Sequence, residues 1–133
     1  MAKAGDTFTI TLKEPHLAWG SYRYTNSRGI VYGEGYIPIP ASDSYRIGTL
    51  NSNGTNGQDV LGKNIFRCKS ADGHYSGYLK AQGNQDDYQF AKQFSGNDNL
   101  KAIGDWYYAI GACVGDRIKV TWTSPTDIVI EKL

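Results

Sequence analysis

The chain has 133 residues, with 14 Lys and Arg against 13 Asp and Glu, two histidines and two cysteines. That length suits one domain over residues 1–133 with a core of its own, and no window is apolar for long enough to cross a bilayer. A net charge of +1 neither favours nor excludes nucleic acid, because a local basic face rather than bulk charge is what a modest binder needs.

In chain order, DTFTITLK (6–13) alternates Phe8, Ile10 and Leu12 with threonines, the period of a half-buried strand, expected over 6–12. A loop rich in aromatic and basic residues, LAWGSYRYTNSRG (17–29), comes next. In IVYGEGYIPIP (30–40) the prolines, which cannot donate ladder bonds, mark an edge strand or strand end. ASDSYRIG (41–48) offers a helical turn or two, and the Asn- and Gly-dense LNSNGTNGQDVLG (50–62) is a long loop. NIFRCKS and HYSGYLKAQ, joined at Asp72-Gly73, read as a hairpin with strands at 64–69 and 74–81.

After a second polar loop, GNQDD (83–87), the alternation in YQFAKQF (88–94) predicts a strand through Tyr88 and Phe90 with a bulge near Ala91 or Lys92. Asn97 or Asp98 is placed to cap a helix on which Leu100, Ile103, Tyr107 and Ile110 recur at helical spacing, with Gly104 weakening it and Gly111 ending it. RIKVTWTS and TDIVIEKL then predict strands at 117–123 and 127–132. About seven strands and two short α-helices make a mostly β fold, a closed or nearly closed antiparallel barrel. Its expected core includes Phe8, Ile10, Phe66, Leu79, Leu100, Ile103, Ile118, Val120 and Ile130.

The chain offers little for catalysis. Neither His16 nor His74 has a ligand or base at a telling spacing, and each is expected as a surface or packing residue. GIVYG (29–33) and YAIG (108–111) look like the halves of a GIY-YIG nuclease, but lie too far apart to form one. Asp127, Glu131 and Lys132 lack the carboxylate-x-Lys order of a metal-dependent nuclease and suit a solvated strand face. Cys68 and Cys113 stand apart in apolar or strand-like surroundings, and Cys68 reads as a small buried hydrophobe despite Arg67 and Lys69 beside it. With the absence of an apolar segment after Met-Ala-Lys, this predicts a cytoplasmic protein with reduced thiols, no metal and no cofactor, and no enzymatic activity of its own.

The ordered set Leu17, Trp19, Gly20; YIPIP at 36–40; Asp72-Gly73; Gln82-Gly83; Lys92; Asn99-Leu100; Gly104; and Gly115-Asp116 resembles the DNA-recognition domain of NgoFVII-type restriction endonucleases. That domain is a pseudobarrel related to the B-three DNA-binding domain of plant transcription factors. The likeness runs over nearly the whole chain. It implies a seven-stranded open pseudobarrel that binds double-stranded DNA, as a stand-alone relative or an excised recognition domain, with a separate nuclease as a possible partner. The chain is expected to act as a monomer.

The resemblance further implies two arms that grip the major groove. The first would be the 17–29 segment, carrying Trp19, Ser21, Tyr22, Arg23, Tyr24, Asn26 and Arg28; the second would surround AQGNQDDYQFAK, with Lys80, Gln82, Asn84, Gln85, Asp86, Asp87 and Lys92. Arg pairs bidentately with guanine, Asn or Gln with adenine, and Asp accepts from cytosine. Ser21, Tyr22, Tyr24, Thr25, Lys80 and Lys92 suit phosphates, which fix register. The same residue types leave other readings open. Trp19 could plug the barrel end, and Arg23 and Arg28 could pair with Glu34 or Asp43. Exposed Tyr and Trp with Asn and Asp also suit a carbohydrate-binding module, and a non-catalytic protein-interaction domain is the third class. Neither residue pattern nor resemblance assigns a role to the 51–59 loop.

Overall fold

The structure, a computed structural model, describes residues 2–17, 35–83, 89–97, 99 and 101–133. Alternating threonine and large apolar residues build β1 (Thr7–Thr11), which buries Phe8 and Ile10 and turns its threonines outward. The same period builds β6 (Arg117–Ser124), which buries Ile118, Val120 and Trp122, and β7 (Asp127–Lys132), which buries Ile128 and Ile130. The hairpin strands are β3 (Ile65–Ser70) and β4 (Ser76–Gln82). Its turn is closed by Asp72, whose Oδ1 accepts from the His74 amide (2.9 Å) and the Ser70 hydroxyl (2.5 Å), while Gly73 takes the left-handed φ of 82° that a side chain would resist.

With β2 (Ile37–Pro38) and β5 (Gln93–Gly96), the strands form one seven-stranded sheet in the order β1-β6-β7-β3-β4-β5-β2, curled into a nearly closed barrel. Every pairing is antiparallel except β3 with β7, where Cys68 lies against Ile128 and Ser70 against Ile130. Proline explains why β2 is short and sits at an edge, since Pro38 has no amide to offer a further strand. From the opposite edge, the Thr7 carbonyl of β1 accepts a bond from Arg46 (3.0 Å), so a helix after β2 reaches across the barrel's opening.

The helices among the described residues are α1 (Glu14–Leu17), α2 (Ala41–Ile47) and α3 (Ala102–Ala109). The single turn of α1 adds to the two helices the sequence predicts; it has Pro15 in its first turn, where a missing amide costs nothing. α2 ends at Gly48 in the left-handed region (φ 84°). α3 buries Ile103, Trp106 and Tyr107. Trp106 thus belongs to its inner face, and the half-buried Ile110 sits beyond its end. Of the two expected caps, Asp98 lies outside the described residues and Asn97 supplies no cap; the Asn99 side chain accepts from the Lys101 amide (3.1 Å), and Lys101, at the N-cap position, makes no side-chain cap bond.

Phe66 sits at the centre of the core, edge-on to Phe94 (5.9 Å) and to Trp122 (5.6 Å). The expected core residues are buried, with Leu100 outside the described residues. β5 begins later than the alternation suggests. Tyr88 lies outside the described residues, Phe90 bridges Leu50 outside any named strand, and the chain bends at Lys92 before pairing begins at Gln93. The reason is a change of partner: the Ala91 amide donates to Thr49, whereas the Lys92 amide donates to Gln82 of β4 (both 2.9 Å). Cys68 is buried, which pushes its thiol pKa far up, but Cys113 is exposed in a loop rather than held in strand-like surroundings.

Candidate nucleic-acid interface

Trp19, Ser21, Tyr22, Arg23, Tyr24, Asn26 and Arg28 of the first predicted arm lie outside the described residues, as do Thr25 and Glu34. The chain ends flanking that arm are described, and they are tied together. The Tyr36 amide donates to the His16 carbonyl (3.1 Å), and the two rings meet edge-on at 5.2 Å. Burial, and then the charge of Lys13, lowers the His16 pKa, so the neutral ring is the form that packs here. Its Nδ1 accepts from the Lys13 amide (2.9 Å). Tyr107 of α3 donates its hydroxyl to the Tyr36 carbonyl (2.8 Å), and burial raises that hydroxyl's pKa well above the ordinary range. Gly35 approaches α3 so closely that a Cβ there would stand 3.0 Å from the Gly104 Cα and 3.1 Å from the His16 carbonyl oxygen. Gly104, read from sequence as a weak point of the helix, is therefore where the arm's return meets α3.

In the second predicted arm Asn84, Gln85, Asp86 and Asp87 lie outside the described residues, whereas Lys80, Gln82 and Lys92 are within them. Here too the flanking ends are joined. The Lys92 amide donates to the Gln82 carbonyl (2.9 Å), and Gly83, at φ 109°, leaves no room for a side chain, since its Cβ would lie 2.8 Å from that of Lys92. The buried Asn51 contributes Nδ2, which donates to the carbonyls of Gly83 (3.0 Å) and Phe90 (3.4 Å). Sequence reasoning missed Asn51. Its only signal was an Asn opening a loop too polar to need one more.

The ladder between β2 and β5 connects the two sets of flanking residues. It pairs Ile37 with Phe94 and Pro38 with Gln93, and the Ile39 amide donates to the Lys92 carbonyl (2.7 Å). Because the strands are antiparallel, the chain following the first predicted arm enters this ladder at one end and the chain following the second enters it at the other. From Tyr36 to Ile39 the separation is about 10 Å at the usual strand rise. Leu79, Ala81 and Phe94 point into the core, so Lys80, Gln82 and Gln93 face outward on the same sheet. Gln82 donates through Nε2 to the hydroxyl of Ser95, which it covers. Lys80 pairs with Asp59 at 3.2 Å, and Lys92 is exposed at the ladder's end. Asp43, a sequence-predicted partner for the first arm's arginines, pairs with Arg46 at 2.8 Å.

No protein-family model and no curated protein matches the sequence. A solved structure, the Arabidopsis FUS3-DNA complex, is similar at a TM-score of 0.49 and 16% identity, over 94% of this chain and 93% of that chain.

Proposed function

We propose that this chain is a sequence-specific double-stranded DNA-binding module that holds the major groove between its two arms and cleaves nothing by itself. It would serve as a stand-alone relative, or the recognition part, of a restriction endonuclease of the NgoFVII type. The observation that carries the reading is the placement of the arms' flanking residues: tied ends at opposite ends of one short β2–β5 ladder, about 10 Å apart by strand rise, bounding an outward face with Lys80, Gln82 and Gln93. A spacing of that order suits a groove about 12 Å wide. In this reading Arg23, Asn26 and Arg28 of the first arm and Asn84, Gln85, Asp86 and Asp87 of the second read base edges. Ser21, Tyr22, Tyr24, Lys80 and Lys92 hold phosphates, and Trp19 and Gln82 support the contact from the arm bases.

The test is selection from random duplexes, followed by titration at several salt concentrations. A short enriched motif with steeply salt-dependent affinity is the expected result. Salt-insensitive binding to glycans, or no duplex binding at all, would replace this reading with the carbohydrate or adaptor one. If duplex binding is found, Arg23→Ala or Arg28→Ala should cost about 1–3 kcal/mol and relax one base position, whereas Lys92→Ala should weaken all sequences alike and lower the salt slope by about 1. Equal losses on every duplex from all three would assign these residues to phosphates and put base readout elsewhere. Purified protein should leave plasmid uncut in Mg²⁺; copurifying cleavage abolished by one carboxylate substitution would overturn the non-catalytic part.

A further inference from the structure

The loop that opens at Asn51 is built around one carboxamide. Asn51 is fully buried, and all its polar groups are engaged in two directions. Inward to its own loop, Oδ1 accepts from the amides of Asn53 (2.9 Å) and Gly54 (3.3 Å), an Asx turn that fixes the ring-like path of the following residues. Toward the second arm, Nδ2 donates to the Gly83 and Phe90 carbonyls, and the Asn51 amide donates to the Gln89 carbonyl (2.9 Å). One side of the residue thus bonds the chain just before segment 84–88 and just after it. The partners also fix which end of the carboxamide is oxygen, because amides surround one atom and carbonyls the other.

Gly54 shows independently that this loop is fitted to the arm's return. A Cβ on it would lie 3.0 Å from the Gln89 carbonyl oxygen and 3.0 Å from the Leu50 side chain. The backbone of Gln89 is bonded to Asn51 and cannot swing away freely. An asparagine is the residue type this position needs: aspartate would keep the Oδ1 bonds but present a second acceptor to two carbonyls, and alanine would leave those half-buried carbonyls without this donor.

We infer that Asn51 is a positioning residue for the second arm: its carboxamide clamps Gly83 to Phe90 and so sets the arm's geometry for base readout, while making no contact with DNA. This inference rests on the DNA-binding reading for its consequence, but not for the clamp itself. Fixing both ends of a short segment lowers the conformational entropy it must lose on binding. Loosening the clamp therefore weakens discrimination at the bases this arm reads, and leaves phosphate contacts, and with them the salt slope, in place.

The experiment has two readouts on the full chain. In the wild-type protein, hydrogen exchange should show the amides of Asn51, Asn53, Gly54 and Lys92 protected together; exchange at unprotected rates would overturn the clamp whatever the protein binds. Asn51→Asp and Gly54→Ala are then tested on duplexes selected with the wild type. For either folded variant, affinity for the selected site should fall about tenfold, with relaxed preference confined to a subset of positions and the salt slope unchanged. Losses spread evenly over all duplexes, or full retention of the preference by Asn51→Asp, would overturn the positioning role. If Asn51→Asp does not fold, Gly54→Ala and the wild-type exchange pattern decide. Should the wild type bind no duplex, the DNA reading fails and the exchange result alone judges the clamp.

Discussion

Asp127 illustrates how a charged surface residue acts through neighbours rather than chemistry. Arg67 of β3 donates to both its oxygens, Nε at 2.6 Å and the terminal nitrogen at 3.1 Å, and Ser124 and Thr126 add hydroxyl donors at 2.6 and 3.0 Å. The Arg67 bond first, then Ser124, holds the carboxyl well below the usual carboxylate range, against a smaller opposing effect of desolvation. The folded state thus keeps this proton off more firmly than the unfolded chain does. The resulting stabilisation is present above the ordinary carboxylate pKa and is lost as pH falls below it toward the depressed value. Wild-type melting temperature should drop from pH 5 to about pH 2.5, and Asp127→Asn should flatten part of that drop while lowering stability at pH 7. Calorimetry at the two pH values checks this. An unchanged pH dependence would mean the fork is too solvated to matter.

Elements in this protein meet where a side chain is missing. Gly96 closes β5, and a Cβ there would fall on the Asn99 carbonyl oxygen and the Ala102 side chain, so its absence is what seats the start of α3 on the sheet. Gly35 plays the same part between the first arm's return and Gly104. In both places the obstacle includes backbone, which cannot rotate aside. Gly96→Ala and Gly35→Ala should each destabilise by about 1–3 kcal/mol, Gly96→Ala by more because its overlap is deeper. Urea denaturation reads both, and a neutral Gly96→Ala would show that α3 can shift at little cost. α3 is also tied to the β3–β4 turn by Trp106, whose indole nitrogen donates to Asp72 at 3.1 Å. Burial alone would raise the Asp72 pKa. The bonds from Ser70, the His74 amide and Trp106 outweigh it and lower the pKa.

At the scale of the whole molecule, the last strand decides closure. β7 lies between β6 and β3, with an antiparallel hairpin on one side and the parallel pairing on the other, and it contributes Ile128 and Ile130 to the core. In the strand order among the described residues, β1 and β6 join the β3–β4–β5–β2 half of the sheet through it. Removing residues 127–133 should therefore abolish cooperative unfolding rather than trim an edge, as monitored by circular dichroism and thermal melting. A truncated chain that still melts cooperatively would show that the two parts of the sheet fold separately.

Alternation determined the strands from sequence alone: Phe8 and Ile10, Ile118 to Trp122, and Ile128 with Ile130 each declare a buried face within their own segment, because the pleat has a period of two. Asp72-Gly73 likewise announced its turn, and the pairing of the flanking strands followed. What tertiary structure decided involves groups far apart in the chain. The insertion of β7 beside β3, the late start of β5, the meeting of Gly35 with Gly104, and the bonds from Asn51 to Gly83 and Phe90 have no local pattern. Asn51 reads as one more loop residue because side-chain bonds to a distant backbone leave no periodicity in either segment. The residue types suited to a DNA contact, Arg23, Asn26, Gln82 and Lys92 among them, were legible. The placement of Gln82 and Lys92 beside the β2–β5 ladder was not, since a two-residue strand beside a four-residue one is held by the sheet they join and not by their own sequence.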